Sequence, residues 1–123
     1  GPRVVCAALP GEYHAIGLHM TAVVMAMAGC QVTFLGCDTP IGTIAQSAHA
    51  TQVDAVLTSV SAAANVATVH RQFTELAEAL DDDIDLLVGG AGAPPDLPRA
   101  TRFESLSCLY DWAAETMLGA RSS

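Results

Sequence analysis

The sequence predicts an α/β domain: a flavodoxin-like (Rossmann-like) five-stranded parallel sheet, order 2-1-3-4-5, with helices on both faces. Three observations predict it. Five short apolar runs are interspersed with helical segments along 123 residues, the pattern of βα units. The first run is continuously apolar, as expected of a strand covered on both faces. Hydrophobic residues make up 51% of the chain and aromatics only 5%, so small side chains dominate and helices can pack closely on the sheet. Right-handed crossovers leave few topologies, and this order places a switch point between the first and third strands. The length suffices for one domain with its own core, expected over residues 3–119. Gly1-Pro2 reads as a protease-cleavage scar, and the abrupt start at a strand as the mark of a domain cut from a longer chain.

Arg3–Ala8 is the first strand and Leu9–Gly17 the loop after it. Leu18–Ala28 is the first helix, apolar nearly all round and so expected to be deeply buried. Gly29 stands where a C-cap glycine would. Gln31–Gly36 is the second strand, and Cys37-Asp38-Thr39-Pro40 carries a helix-start signal, a capping Asp or Thr ahead of Pro at the first helical position. The second helix covers Ile41–Thr51, with Ile41, Ile44, Ala45 and Ala48 on one face. Asp54–Ser59 is the third strand. A loop of small residues, Ser61 to Asn65, leads to a third helix, Val66–Leu80, whose Val66, Val69, Phe73, Leu76 and Leu80 are spaced for an inner face. Asp81-Asp82-Asp83 ends it as a solvated corner without an EF-hand pattern. Ile84–Val88 is the fourth strand, followed by a glycine loop from Gly89 to Pro95. Residues 100–103 read as a short fifth strand and Glu104–Leu118 as the last helix, with a stripe of Leu106, Leu109, Trp112, Ala113 and Met117.

Charge and cysteine usage narrow the function. The net charge of −8, from 13 acidic and 5 basic residues, argues against direct contact with nucleic acid, where cations must displace phosphate counterions. It argues equally against an anionic membrane surface. Cys6, Cys30, Cys37 and Cys108 form no CxxC pair and read as reduced thiols packed as small apolar residues. No targeting or spanning segment is visible, Leu18–Ala28 being too short to cross a bilayer, so the expected location is the cytoplasm. No Ser-His-Asp set, paired carboxylates or nucleophile beside a base is present, so no catalytic residue is expected.

What the sequence offers instead is a convergence of three loops. In the predicted order, the loops after strands one, three and four sit side by side at the carboxyl edge of the sheet, where open α/β sheets bind ligands. They carry Glu12-Tyr13-His14-Ala15-Ile16-Gly17, then Ser59 and Ser61, then Gly89-Gly90 and Gly92. Glu12 can accept the second ring N–H of His14, fixing its tautomer and raising its basicity as a ligand. One imidazole cannot hold a free transition metal, since zinc needs three or four protein ligands. A single His therefore implies a metal already held by a macrocycle, as in haem or a corrinoid. The glycines read either as a tight turn or as a floor stripped of side chains. Gly-Gly-x-Gly is neither a Walker loop nor a dinucleotide fingerprint at this position.

Glu12-x-His14-x-x-Gly17, Ser59-x-Ser61 and Gly89-Gly90 together resemble the cobalamin-binding domain family, over about Val4 to Leu118. The family pattern is Asp-x-His-x-x-Gly, Ser-x-Leu, Gly-Gly; here Glu12 replaces Asp and Ser61 replaces Leu. The resemblance implies base-off, His-on binding of cobalamin (adenosylcobalamin or methylcobalamin). The dimethylbenzimidazole tail leaves cobalt for a slot between sheet and first helix, and His14 replaces it as the metal ligand. Gly17 and Gly89-Gly90 then leave room for the tail, and Ser59 hydrogen-bonds it. With Pro10-Gly11-Glu12, Leu18-His19-Met20 and Leu35-Gly36-Cys37-Asp38-Thr39-Pro40, the chain is similar to the subgroup found in MerR-type, light-responsive transcriptional regulators. The resemblance thus implies a sensory module whose DNA-binding function lies in a neighbouring domain, with room for a homo-oligomer. Trp112, on the last helix, is a doubtful candidate for the upper face. Two other readings stand beside it: the corrinoid domain of a methyltransferase or mutase, where the cofactor performs the chemistry, and a related domain holding haem or a bilin, with Cys37 the residue to watch.

Overall fold

The computed structural model describes residues 2–122, the side chains of Ala15 and of residues 116–122 excepted. Gly1 and the side chain of Met117 therefore lie outside the described residues. The element order is β1 (Arg3–Ala7), α1 (Ala15–Met27), β2 (Gln31–Gly36), α2 (Ile41–Thr51), β3 (Ala55–Ser59), α3 (Val66–Ala79), β4 (Asp85–Gly89), β5 (Ala100–Arg102) and α4 (Leu106–Ser122). The five strands form one sheet in the order β2-β1-β3-β4-β5. Every pairing is parallel, with Val5 opposite Thr33 and Val56, and Leu57 opposite Leu87. The expected fold class and order are found.

Alternation along the strands divides the core into two layers. Val5, Ala7, Val56, Val60, Leu86 and Val88 face α2 and α3, which return Ile44, Ala48, Val69, Phe73 and Leu76. Val4, Cys6, Ala55, Leu57 and Leu87 face α1 and α4, which return Leu18, Met25, Leu109 and Ala113. Each fully buried large side chain contributes about 1.5–3 kcal/mol, and truncating a core Phe such as Phe73 costs about 3–5 kcal/mol.

Four expectations about helices are corrected. The first helix begins at Ala15, not Leu18, so Gly17 lies inside it and His14 is its N-cap residue. Nothing between Ala15 and Gly17 stops a helix; one internal glycine costs only about 1 kcal/mol against alanine. Nor is α1 buried all round: Leu18, Thr21 and Met25 are buried, while Ile16 is 77% and Met27 70% exposed. An apolar sequence without a polar face gives no period from which to read the inner side. On α3, Val69, Phe73 and Leu76 are buried as expected, but Val66 is exposed. α2 spans Ile41–Thr51 as expected, but its N-cap is Pro40, which stands one residue before the first helical position, and neither Asp38 nor Thr39 caps the helix.

Gly29 does end α1. Its φ is +97°, its N–H donates to Ala26 O and the Cys30 N–H to Met25 O, a Schellman closure. The corner between α3 and β4 is held by Arg99, itself in the left-handed region at φ +63°. Its guanidinium donates to the carbonyls of Ala77, Leu80, Asp81 and Ile84.

Candidate functional site

The loop joining β1 to α1 is fixed from both sides by hydrogen bonds. From the β2–α2 turn, Asp38 Oδ1 accepts the Gly11 N–H at 2.8 Å, the Asp38 N–H donates to Glu12 O at 2.9 Å, and the Thr39 N–H donates to Ala8 O at 2.9 Å. The Cys37 thiol lies 3.5 Å from Tyr13 O. From the β3–α3 loop, the Ser61 N–H donates to Glu12 Oε1 at 3.2 Å. From α3, Gln72 Nε2 donates to Pro10 O at 3.0 Å. The part played by Asp38 was hidden in the sequence, where Asp before Thr-Pro reads as a helix cap.

Glu12 and His14 do not form the expected pair. Glu12 is 7% exposed and its carboxylate is turned toward Ser61. Among the described residues no hydrogen bond joins it to His14, whose side chain is exposed. In extended backbone residues two apart share a side; after Gly11, at φ +87°, the loop departs from that pattern, with Glu12 buried while Tyr13 and His14 are exposed. Tyr13 and Ile16, on either side of His14 in sequence, are 69% and 77% exposed, so the imidazole stands among exposed apolar side chains. The side chain of Ala15 lies outside the described residues.

Ser59 ends β3 on the α1 side. A Cβ placed on Gly17 would come within 3.1 Å of Ser59 Oγ, so the glycine keeps that hydroxyl accessible. Ser59 Oγ has no hydrogen-bond partner among the described residues. Gly17, Ser59 and Gly90 line one cleft, with Met20, Thr21, Phe103 and Leu106, of volume ≈ 190 Å³. It lies between the sheet edge, α1 and the start of α4, where the tail slot was expected. A second cleft of ≈ 230 Å³ runs on the other side of the histidine loop, lined by Glu12, Tyr13, His14, Asn65 and Gln72 among others.

In the fourth loop Gly90 takes the positive φ of the tight-turn reading, and each glycine also lies close against a neighbouring segment. Gly89 belongs to β4, and a Cβ on it would strike the ring of Phe103, which occupies the space above it. A Cβ on Gly90, at φ +98°, would strike Val60 O, and one on Gly92 would strike Ser61 O. The fourth loop thus lies directly against the third, with Val60 N–H to Gly89 O at 2.9 Å and Gly92 N–H to Val60 O at 3.1 Å. Close backbone approach is the requirement at Gly90 and Gly92. Only Gly17 and Gly90 open onto the cleft.

Chemically, the site has an exposed imidazole, exposed apolar neighbours and a mostly apolar cleft with one unengaged hydroxyl. No group of three or more His, Cys, Asp or Glu that could hold a metal ion occurs among the described residues. An exposed imidazole beside open apolar surface fits a metal that is already held in a macrocycle. Trp112 is half-buried and packs against the core layer under α1 and α4. Cys6 and Cys30 are buried as expected, Cys37 is half-buried and Cys108 is exposed. No helix among the described residues is long and apolar enough to cross a membrane.

A protein-family model described as "B12 binding domain" matches residues 2–118. No curated protein sequence matches the chain. Among solved structures, the Methanosarcina barkeri monomethylamine corrinoid protein superposes with a TM-score of 0.77 at 20% identity, over 94% of this chain and 58% of its own. The methanol:cobalamin methyltransferase complex MtaBC, also from Methanosarcina barkeri, superposes at 0.79 and 20% identity, over 95% of this chain and 46% of its own. A cobalamin-binding protein from Desulfitobacterium hafniense DCB-2 gives 0.74 and 20%, over 95% and 58%. The chain thus spans about half the length of these structures, and at such identity the likeness is one of fold.

Proposed function

We propose, on the premise that this chain belongs to the B12 binding domain family, that it holds cobalamin at the carboxyl edge of its sheet with His14 as the cobalt ligand. The observation that carries this is the exposed His14 imidazole, set between exposed Tyr13 and Ile16 and beside the cleft under Gly17 and Ser59. When bound, the cofactor supplies a cobalt–carbon bond that light or an acceptor can cleave. The protein's own part is binding and orientation. Tyr13, Ile16 and the edge formed by Ser61, Gly90 and Gly92 would support the ring, while Gly89 lies beneath Phe103. Ser59 offers its hydroxyl to the tail, and Glu12, through Ser61, fixes the height of the histidine loop.

The output we assign is sensory: a domain of a light- or ligand-responsive transcriptional regulator, its DNA contacts made by a neighbouring domain. The Glu12-x-His14 variant, together with the Pro10-Gly11 and Asp38-Thr39-Pro40 segments, supports this. The net charge of −8 is consistent with leaving DNA to another domain. A second reading, a corrinoid carrier of methyl groups, draws support from the likeness to MtaBC and the monomethylamine corrinoid protein.

Absorption spectra of the protein mixed in the dark with adenosylcobalamin or methylcobalamin test the binding. Wild type is expected to give the spectrum of an imidazole-ligated, base-off corrinoid, and His14→Ala to lose it with weaker binding. An unchanged spectrum and affinity in His14→Ala would remove His14 from cobalt. Sedimentation before and after illumination separates the outputs: a light-driven change in association supports the sensor, and methyl transfer to a thiol acceptor, catalysed by an added methyltransferase and without any light response, supports the carrier.

A further inference from the structure

Three non-glycine residues among those described hold a left-handed backbone: Asp38, Gln52 and Arg99, at φ +48°, +51° and +63°. Gln52 closes α2, and Arg99 ties the α3–β4 corner. Asp38 ends no helix. It stands in the turn between β2 and α2, where a glycine would be free of the strain that a side chain brings. Among the described residues the bonds of its side chain go to the histidine loop alone: Oδ1 accepts the Gly11 N–H at 2.8 Å, while the Asp38 N–H donates to Glu12 O at 2.9 Å. The next carbonyl, that of Tyr13, lies 3.5 Å from the Cys37 thiol. Gly11, Glu12 and Tyr13, the residues that lead to His14, are thus each tied to one turn. That turn is itself anchored. Thr39 is buried, its N–H donates to Ala8 O at 2.9 Å and its hydroxyl to Gly36 O at 3.0 Å, and Pro40 follows at φ −58°. Beyond the imidazole the chain is held less closely. His14 is the N-cap of α1 but makes no side-chain capping bond, and the first turn of α1 holds no acidic residue. Ile16 is exposed, and Leu18, further along α1, is buried.

Resting on the cobalamin reading above, we infer that Asp38 is a positioning residue for the cobalt ligand. Its carboxylate and its left-handed backbone together hold the histidine loop in the conformation that presents the His14 imidazole. Asp38 acts through Gly11 and Glu12, not by touching the cofactor. A ligand fixed before binding loses less freedom on binding, so affinity is gained without a new contact. The requirement on the residue is narrow. It must tolerate positive φ and carry an acceptor oxygen that reaches the Gly11 N–H, and Asp and Asn combine the two. Glycine satisfies the backbone but has no oxygen to offer, and alanine satisfies neither demand. A strained residue at a functional site marks a constraint that the surrounding structure enforces, and here the constraint is the grip on the loop ahead of His14.

Absorption titrations with adenosylcobalamin in the dark test this on wild type, Asp38→Gly, Asp38→Asn, His14→Ala and the double variant Asp38→Gly/His14→Ala. Asp38→Gly relieves the backbone and removes the oxygen. It is expected to bind about three- to tenfold more weakly than wild type, the worth of one hydrogen bond, with a smaller imidazole-ligated share in the spectrum of the bound cofactor. Asp38→Asn keeps an acceptor oxygen and is expected to restore binding to within about twofold of wild type, with the wild-type spectrum. On the His14→Ala background, Asp38→Gly is expected to change affinity by less than about 1.5-fold, because the loop it secures no longer carries a ligand. A merely structural role would carry the loss into both backgrounds, and that result overturns the inference. So does wild-type affinity in Asp38→Gly, or an Asp38→Asn protein as weak as Asp38→Gly. Should Asp38→Gly not fold, Asp38→Ser, whose shorter side chain stops short of the Gly11 N–H, enters the same comparison. The two readings fail apart. No binding by wild type, or full affinity and an unchanged spectrum in His14→Ala, overturns the cobalamin reading and this inference with it. A loss in His14→Ala without one in Asp38→Gly overturns this inference alone.

Discussion

Glu12 Oε1 accepts the backbone N–H of Ser61 at 3.2 Å, across 49 positions of sequence. A carboxylate that is 7% exposed thereby joins the histidine loop to the loop after β3. Glu12→Gln keeps an acceptor oxygen at the same place and is expected to bind cobalamin within about threefold of wild type. Glu12→Ala leaves the Ser61 N–H unpaired and is expected to cost about 1–3 kcal/mol of stability, with weaker binding. Chemical denaturation and absorption titration of the two variants measure this. A large loss in Glu12→Gln would instead place the carboxylate on His14 in the loaded protein.

Gly17→Ala separates stability from binding. Alanine is favoured over glycine within a helix by about 1 kcal/mol, and its Cβ would come within 3.1 Å of Ser59 Oγ at the cleft. The expected result is unchanged or slightly raised stability with cobalamin affinity reduced about tenfold. Unimpaired affinity would show that the tail does not use this cleft.

Arg99→Ala is expected to destabilise the fold by about 2–4 kcal/mol, since four carbonyls at the α3–β4 corner lose a charged donor. The backbone at φ +63° would remain strained. Arg99→Gly relieves that strain and should recover part of the loss, which urea melts of the two variants can resolve.

Thr58 is fully buried, and its hydroxyl has no hydrogen-bond partner among the described residues. Valine has the same shape without the unpaired group, so Thr58→Val is expected to stabilise by about 1 kcal/mol. A loss of stability on denaturation would point to a water bonded to that hydroxyl.

Burial, with Cys30 nearby as a smaller cause, pushes the Cys6 thiol up to about 12. An unfolded thiol ionises from about pH 8.5, whereas the folded one holds its proton. Between those values the unfolded state binds fewer protons, so stability falls as pH rises, by about 1.4 kcal/mol per pH unit. Below pH 8.5 the effect vanishes. The chain contains no lysine to titrate in the same window. Comparing wild type with Cys6→Ala in urea melts at pH 8 and 10.5 isolates it: the alanine variant should show the flatter pH response.

The strand order and the meeting of three loops were legible because they follow from apolar runs, turn residues and crossover handedness. The inner face of α1 was not, since Ile16, Met20, Val23 and Met27 are as apolar as Leu18 and Met25 and only tertiary packing separates them. The site residues were legible as types and as neighbours. Their bonding was not: Glu12 reaches Ser61 rather than His14, and Asp38 serves the histidine loop rather than α2, because both depend on side-chain direction after a left-handed glycine or turn. Phe103 gave no signal, as one aromatic after a short strand looks like any edge residue until it is seen to lie over Gly89.

The contacts between neighbouring loops at the carboxyl edge run largely through main-chain atoms: Thr39 to Ala8, Asp38 to Glu12, Val60 to Gly89, Gly92 to Val60. Such a frame does not depend on what the outward side chains are. Tyr13, Ile16 or the hydroxyl of Ser61 could be exchanged with the mount left in register, so a single scaffold of this kind can be refitted for a different guest without being rebuilt.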